Sequence, residues 1–421
     1  MSAQTDPMAL RLAAHRGATG DPNPGRGPTQ ASAITLQRRP ARTGESPDWV
    51  RISMASAIAL RFRSGRFTRD FDFGGINLLL NYDDGCRSDC GYCGLARTRP
   101  GAYEDKSFIR VEWPLVGTDE LVDRMARHEA KLTRLCISMV THPYAWRDTC
   151  DITERITTRL RTPLSILVAP PTLNRRRIEQ MKAIGVDMVG IGLDAVTEDL
   201  FRSLRTDVPA GGAGLSWDQY WGVVDHSRDV FGPWKVNVHT LVGLGETDAD
   251  LVDIFCRLAE REIFSYLFCF NPEPDSRLAD HPKSPLRRWR RIQLAKHLIE
   301  TEGFRTDRFT FDDEGALVGL DAEPVVDGAV ASGIPFMTNG CPGAGGEPGC
   351  TRPYGSYRPS EPFRDFPFLP EGPDLEGIRA ELDLSTILKP DLRQQGRAAG
   401  AGAPSRTAMS RQAKSQQQQR S

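Results

Sequence analysis

Short apolar runs alternate with longer stretches of helical period through the middle of the chain. Ile76-Asn-Leu-Leu-Leu80, the run from Arg134 to Val140, Leu164-Ser-Ile-Leu-Val168, the run from Met188 to Leu193, that from Lys235 to Val242 and that from Ser265 to Phe270 read as buried strands. Between them, Glu120 to Lys131, residues 173–184, Trp217 to Asp229 and Asp248 to Arg261 carry apolar residues at helical spacing. Repeated strand–helix units predict an α/β fold: a parallel sheet covered by helices, curved into a partial or full TIM-type βα barrel. In such a fold chemistry sits on the loops after the strands, at their C-terminal ends.

The two ends of the chain break this pattern. Residues 1–54 are rich in Pro, Gly, Thr and Arg, and residues 391–421 are low in complexity and nearly free of large apolar side chains. Segments of that composition bury too little surface to offset chain entropy, so both are expected to be disordered tails. That leaves a barrel over residues 55–330 and a Cys-, Gly- and Pro-rich extension over 331–390. A basic segment, from Asp280 through Leu286-Arg-Arg-Trp-Arg-Arg-Ile292, opens a further helix running to about Glu300 and reads as a solvated helix face.

Charge excludes some partners. Lys and Arg total 54 against 55 Asp and Glu, a net charge of −1 in 421 residues, so no basic footprint marks nucleic acid or an anionic membrane as a partner. The apolar runs are too short to span a bilayer, and the first twenty residues lack a signal-type apolar region, so a soluble cytoplasmic protein is expected.

Cysteine usage supplies the chemistry. Cys86-Arg-Ser-Asp-Cys90-Gly-Tyr-Cys93 places three of the nine cysteines within eight residues, on the loop after the first predicted strand. A structural zinc site needs four ligands, and no other Cys or His lies within twenty residues on either side. Three thiolates suit a [4Fe–4S] cluster in which one iron stays open to another ligand. Gly85 and Gly91 let the backbone wrap closely around such a group, and Tyr92 sets an aromatic beside it.

The CxxxCxxC spacing with an aromatic before the third cysteine resembles the radical S-adenosylmethionine (SAM) superfamily. Leu241-Val-Gly-Leu-Gly-Glu-Thr247 is similar to the GLGET segment of biotin and lipoyl synthases, and Gly192-Leu-Asp194 followed by a helix carrying Arg205 is similar to their fourth-strand segment. The resemblance covers roughly residues 75–300 and implies roles. Cys86, Cys90 and Cys93 would hold a [4Fe–4S] cluster, and Asp194, Arg205, Gly243, Gly245 and Glu246 would contact SAM. Reductive cleavage of SAM, with an electron from a donor such as flavodoxin or ferredoxin, would yield methionine and a 5′-deoxyadenosyl radical that abstracts hydrogen from an unactivated carbon.

The sequence also departs from these relatives. Where a GGE-type segment would meet the cofactor's amine, this chain reads Ser138-Met-Val-Thr-His-Pro143; His142 there reads as a loop residue. Cys136 sits at the second-strand place of the biotin synthase second cluster, but Ile166 and Asn237 fall near the other two, which disfavours biotin synthase. No cysteine precedes Cys86, which disfavours an ordinary single-chain lipoyl synthase. The loop from Thr338 to Tyr354, with Cys341 and Cys350, resembles the C-terminal segment of lipoyl-synthase-like enzymes that work as two-protein systems. Its cysteines are candidate ligands of an auxiliary iron–sulfur cluster, completed by Cys136, Cys269, another residue or a partner chain, or else incidental thiols of a surface loop. Cys150, Cys256 and Cys269 read most simply as buried apolar cysteines, with Cys269 also able to face the barrel.

The expected activity is radical hydrogen abstraction followed by sulfur insertion of the lipoyl synthase type, with a partner radical SAM protein or a carrier-protein substrate. The alternatives are radical C–H oxidation or rearrangement of a tetrapyrrole or natural product, and, in another class, a non-catalytic iron–sulfur or zinc scaffold. A cobalamin domain is not expected.

Overall fold

The computed structural model describes residues 43–390 apart from 109–110, 207–213 and 323; the expected tails over 1–42 and 391–421 lie outside the described residues. In chain order the main elements are β1 (Trp49–Ile52), α1 (Met54–Ala59), β2 (Gly75–Leu80), β3 (Leu115–Gly117), α2 (Thr118–His128), β4 (Arg134–Ser138), α3 (Ala145–Thr157), β5 (Leu164–Val168), α4 (Arg175–Ala183) and β6 (Met188–Asp194). They continue with α5 (Glu198–Phe201), α6 (Trp217–Phe231), β7 (Val236–Val242), α7 (Asp248–Glu260), β8 (Phe264–Cys269), α8 (Leu286–Glu302), β9 (Phe309–Phe311), β10 (Leu317–Ala322), α9 (Pro324–Ser332), α10 (Pro373–Leu382) and β11 (Leu388–Pro390).

Strands β2, β4, β5, β6, β7 and β8 pair side by side in parallel, each return made by one or two helices. This is the α/β barrel arrangement that the strand–helix alternation predicts, with six parallel strands. The strands are aliphatic because both faces are covered: every position of β2 is buried. Polar caps start the helices where the chain leaves the sheet. Thr247 Oγ1 accepts from the Asp250 amide (3.1 Å) while Asp250 returns the bond to the Thr247 amide (2.9 Å), a capping box that sets the entry to α7. Asn174 caps α4 through the Arg177 amide (3.0 Å).

The sheet begins earlier than expected. Residues 43–54 belong to the described structure, and β1 lies antiparallel to both β2 and β3, with Val50 opposite Leu80 and Ile52 opposite Leu78. Val50 and Ile52 are fully buried, and Arg51 between them is held by the Trp113 carbonyl (3.0 Å). Four alternating residues next to a Pro-rich segment were too short a signal to separate from a tail.

The basic opening of α8 is also not a solvated face. Trp289, Arg290, Lys296 and Glu300 are all buried, because the C-terminal extension lies over the helix. Arg290 donates to the carbonyls of Phe363 (2.8 Å) and Arg364 (2.6 Å) and to Glu381 (2.6 Å), while Lys296 pairs with Glu300 at 2.7 Å. The extension is bound back elsewhere too: β11 pairs parallel with β10. Apart from the stretch 338–355, the segment 331–390 thus packs as an outer layer on the barrel.

Candidate functional site

The three clustered cysteines lie on the loop that leaves β2, at the C-terminal end of the parallel strands. Gly85 has φ +66°, and a Cβ there would meet the Tyr103 ring at 2.5 Å, so this turn requires glycine. Gly91 leaves room for the Arg277 guanidinium, which donates to the carbonyls of Asp89 (3.1 Å) and Leu204 (2.7 Å) and ties the cysteine loop to the segment after β6. Burial pushes the thiols of Cys86 and Cys93 up, and the neighbouring Cys90 adds to the effect. Three close thiolates are therefore unfavourable without a positive group between them, and bound irons would supply that charge. Among the described residues, no three His, Cys, Asp or Glu side chains converge to hold a single ion. The donor set fits a cluster in which each thiolate takes its own iron.

Asp194 closes β6 with φ +62°, at a break in the register with β7. A left-handed aspartate at a strand end is a strained arrangement of the kind found at binding sites. Its carboxylate accepts a hydrogen bond from the Tyr92 hydroxyl at 2.5 Å and pairs with Arg205 at 3.4 Å. Burial holds the Tyr92 phenol protonated, so it stays a donor. The tyrosine before the third cysteine thus links the cysteine loop to Asp194, a role the sequence did not reveal. Arg205 sits in a π-turn over Arg202–Thr206 and spends its Nη atoms on the Gly192 and Leu193 carbonyls and on Tyr220 Oη (2.9 Å); its buried Nε has no partner among the described residues.

The GLGE segment is built differently from the expectation. Gly243 and Gly245 adopt φ of +107° and +118°, which shapes a turn after β7. Glu246 folds back into that turn: its two oxygens accept from the amides of Gly243 and Leu244, each at 2.8 Å, and it pairs with Arg288 at 3.0 Å. Neither glycine nor Glu246 lines the central cavity. His142 is likewise a loop residue, stacked on Tyr82 (3.7 Å between rings) and bonded to Asp84 at 2.8 Å.

A cavity of about 330 Å3 runs through the barrel interior, and its lining includes all three clustered cysteines, Asp194 and Arg205. The same lining includes Cys136, Cys341 and Cys350. Cys341 and Cys350 lie near the N-terminal ends of the strands, close enough to Cys136 on β4 to act on its thiol. The loop from Thr338 to Tyr354 enters there as a tight hairpin, with the Cys350 amide donating to the Cys341 carbonyl at 3.0 Å and the Gly343 amide to Glu347 O at 2.7 Å. Thr133 Oγ1 donates to Gly349 O (2.6 Å) and Arg134 Nε to Pro342 O (2.7 Å), so the first residue of β4 and the one before it grip the hairpin. A Cβ on Gly349 would come within 2.5 Å of the Gly343 amide, which is why the loop is glycine-rich.

Both hairpin thiols receive barrel donors. Asn77 Nδ2 points at Cys350 Sγ and Asn237 Nδ2 at Cys341 Sγ, each at 3.6 Å. Burial pushes the Cys136 thiol far up, with Cys341 and Cys350 adding to the shift and Arg352 opposing it. Burial also raises the Cys341 thiol, offset by Arg134. Cys269 also lines the cavity, but its sulfur is bonded by Arg364 Nη1 at 3.2 Å. Cys150 and Cys256 are buried in α3 and α7, as expected of apolar cysteines.

Residues 80–257 match the Radical SAM superfamily model. The chain carries a radical SAM domain. Among solved structures, HydG, a maturase of the [FeFe]-hydrogenase, is similar at 13% identity over 61% of this chain and 55% of that one, with a TM-score of 0.41. The FeFe-hydrogenase maturase HydG from Carboxydothermus hydrogenoformans is similar at 16% identity over 79% and 71%, TM-score 0.41. Coproporphyrinogen III oxidase (HemN) from Escherichia coli is similar at 16% identity over 64% and 59%, TM-score 0.35. The chain spans just over half the length of the first of these, and overlaps of this depth assign no activity. No curated protein matches the chain. The radical SAM domain contains the cysteine triplet, β4 to β7, Asp194 and Arg205, while Cys341 and Cys350 lie beyond it. Among the described residues, no helix is long and apolar enough to cross a membrane.

Proposed function

We propose that this chain is a radical SAM enzyme that abstracts hydrogen from an unactivated C–H bond and inserts sulfur there, in the manner of lipoyl synthase. The observation that carries the reading is one cavity lined by two groups of three cysteines, one at each end of the barrel. Cys86, Cys90 and Cys93 would hold the [4Fe–4S] cluster which, with SAM bound, supplies the hydrogen-abstracting radical when an external donor delivers an electron. Cys136, Cys341 and Cys350 would hold an auxiliary iron–sulfur cluster as the source of sulfur, a fourth ligand coming from outside the trio.

The chain's own residues do the rest. Asp194, fixed by Tyr92, presents a carboxylate at the cofactor end, fit to accept from the hydroxyls of a bound nucleoside. Arg205 Nε is left as a donor beside it. Glu246 contributes at one remove, by holding the turn after β7. The walls between the two cysteine groups are mostly apolar, with Leu79, Leu167, Leu241 and Phe268 among them; they keep water and stray hydrogen donors from the reaction path. The protein is assigned to the soluble cytoplasm, with a flavodoxin- or ferredoxin-type donor.

The test is a comparison of iron, sulfide and products. Anaerobically reconstituted protein should bind iron for two clusters and, when reduced, release 5′-deoxyadenosine from SAM. A Cys341→Ala/Cys350→Ala variant should lose one cluster and all sulfur insertion while still cleaving SAM. Equal iron content in the two proteins would remove the sulfur-donor reading.

A further inference from the structure

The cavity contains a cation without a hydrogen-bonded partner among the described residues. Three arginines line it: Arg134, Arg205 and Arg352. Arg134 is spent on Asp187 (2.7 Å), Ser165 (3.1 Å) and the Pro342 carbonyl, and Arg205 on Asp194, Tyr220 and two backbone carbonyls. The Arg352 guanidinium makes no hydrogen bond or ion pair with any described residue. Aromatic faces lie beside it, with the Trp113 ring 5.6 Å and the Phe268 ring 5.9 Å from its central carbon, and its charge acts on Cys136, His239 and Asp365. Such contacts steady an arginine and leave its N–H fork open.

Arg352 is partly buried and stands two residues after Cys350, on the hairpin that fills the N-terminal end of the barrel. The Asp365 carboxylate, on which the Arg352 charge acts, is turned to Ser356 Oγ at 2.8 Å. His239, also in the lining, carries no compensating negative charge. A partly buried guanidinium without a hydrogen-bonded partner, in a mostly apolar cavity, is poised to take an anion.

Taking the cavity to be the substrate site, as the proposed function does, we infer that Arg352 binds the free carboxylate of a small substrate whose apolar body lies along the cavity wall toward Cys86, Cys90 and Cys93. A carboxylate matches the arginine fork with two parallel N–H···O bonds. An acyl chain held as an amide on a carrier protein would present no charge to Arg352. The inference therefore selects a free acid over a carrier-bound acyl group as the molecule acted upon.

The test is a binding measurement on anaerobically reconstituted full-length protein. By calorimetry, straight-chain carboxylates of increasing length are compared with the matching primary amides, for wild type, Arg352→Gln and Arg352→Lys. The wild type should favour the carboxylates by about ten- to a hundredfold, the value of a charge-assisted pair. Arg352→Gln should bind acids and amides alike, and Arg352→Lys should keep part of the preference, since the charge survives and the fork does not. Equal binding of acid and amide by the wild type overturns the inference, as does an unchanged preference in Arg352→Gln. Loss of iron from Arg352→Gln together with equal acid and amide binding in the wild type would assign Arg352 to the floor thiols instead. Binding is read without turnover, so absence of SAM cleavage would count against the proposed function and not against this inference.

Discussion

The barrel holds two groups of three cysteines, and they are assembled in opposite ways. At the C-terminal end of the strands, Cys86, Cys90 and Cys93 come from eight consecutive residues on one loop. At the N-terminal end, Cys136 comes from β4 while Cys341 and Cys350 arrive on a hairpin some two hundred residues later. The first group is shaped by its own loop, through the turn at Gly85 and the Tyr92 link to Asp194. The second exists only because Thr133, Arg134, Asn77 and Asn237 hold a distant hairpin in the barrel. A locally encoded site survives changes elsewhere in the fold; an assembled one depends on every anchor.

The largest expected effect lies at the local group. Replacing Cys86, Cys90 or Cys93 singly by Ala should reduce 5′-deoxyadenosine formation below detection and remove one cluster's iron, while the Cys341/Cys350 hairpin keeps its own. Formation of 5′-deoxyadenosine at the wild-type rate in any of the three variants would break the distinction between the two ends.

The assembled group should give a different pattern. Cys136→Ala should lower iron as much as Cys341→Ala or Cys350→Ala does, abolish sulfur insertion and leave SAM cleavage in place. Cys269→Ala, whose sulfur is already bonded by Arg364, should change neither. Iron loss in Cys269→Ala with none in Cys136→Ala would reassign the third thiol of the floor.

How much of this could be read from the sequence follows from the same contrast. The CxxxCxxC loop was legible because its ligands and its glycines are neighbours in the chain. The parallel strands were legible because each is a continuous apolar run, as at Leu164–Val168. β1 was missed because four alternating residues carry little periodic signal, and its burial depends on strands formed later in the chain. The basic start of α8 looked solvated because the residues that cover it, such as Phe363 and Arg364, lie more than seventy positions away. The place of Cys136 beside Cys341 could be guessed from its strand position but not chosen over Cys269, since only the fold brings the hairpin to β4. The GLGE segment shows the reverse case. Its motif was visible, yet Glu246 turns inward to its own loop rather than to the cavity.

That last point separates Glu246 from Asp194 in a measurable way. Removing Glu246 leaves two buried amides without an acceptor and Arg288 with a weakened pairing. Glu246→Ala should therefore cost about 2–4 kcal/mol in urea unfolding. Asp194→Ala should cost less stability, since Arg205 keeps its other bonds, and should instead raise the apparent dissociation constant for SAM. Equal stability of the two variants, with equal loss of SAM affinity, would return Glu246 to the cofactor contacts.

The smallest expected effect concerns how firmly the hairpin end is sealed. Asp365 lies on the segment covering α8, fully enclosed, with Ser356 Oγ as its donor at 2.8 Å and with Oδ1 lacking a partner among the described residues. Burial raises its carboxyl to about 6, only partly offset by Ser356 and by the charges of Arg290 and Arg352. A folded pKa above the unfolded one means that the protonated acid is favoured by folding. Its contribution is fully present below the unfolded value of 3.8 and is lost as pH rises through about 6. Above that range the ionised group lowers stability by an amount bounded at about 3 kcal/mol, and by less where water reaches it. Asp365→Asn keeps an acceptor for Ser356 and removes the charge. It should leave stability unchanged in acid and raise it by about 1–2 kcal/mol at neutral pH, flattening the pH dependence. Chemical denaturation of both proteins across that range checks the sign. A variant that is less stable than wild type at neutral pH would show that the Asp365 charge, through Arg290 and Arg352, fastens the C-terminal segment to the barrel.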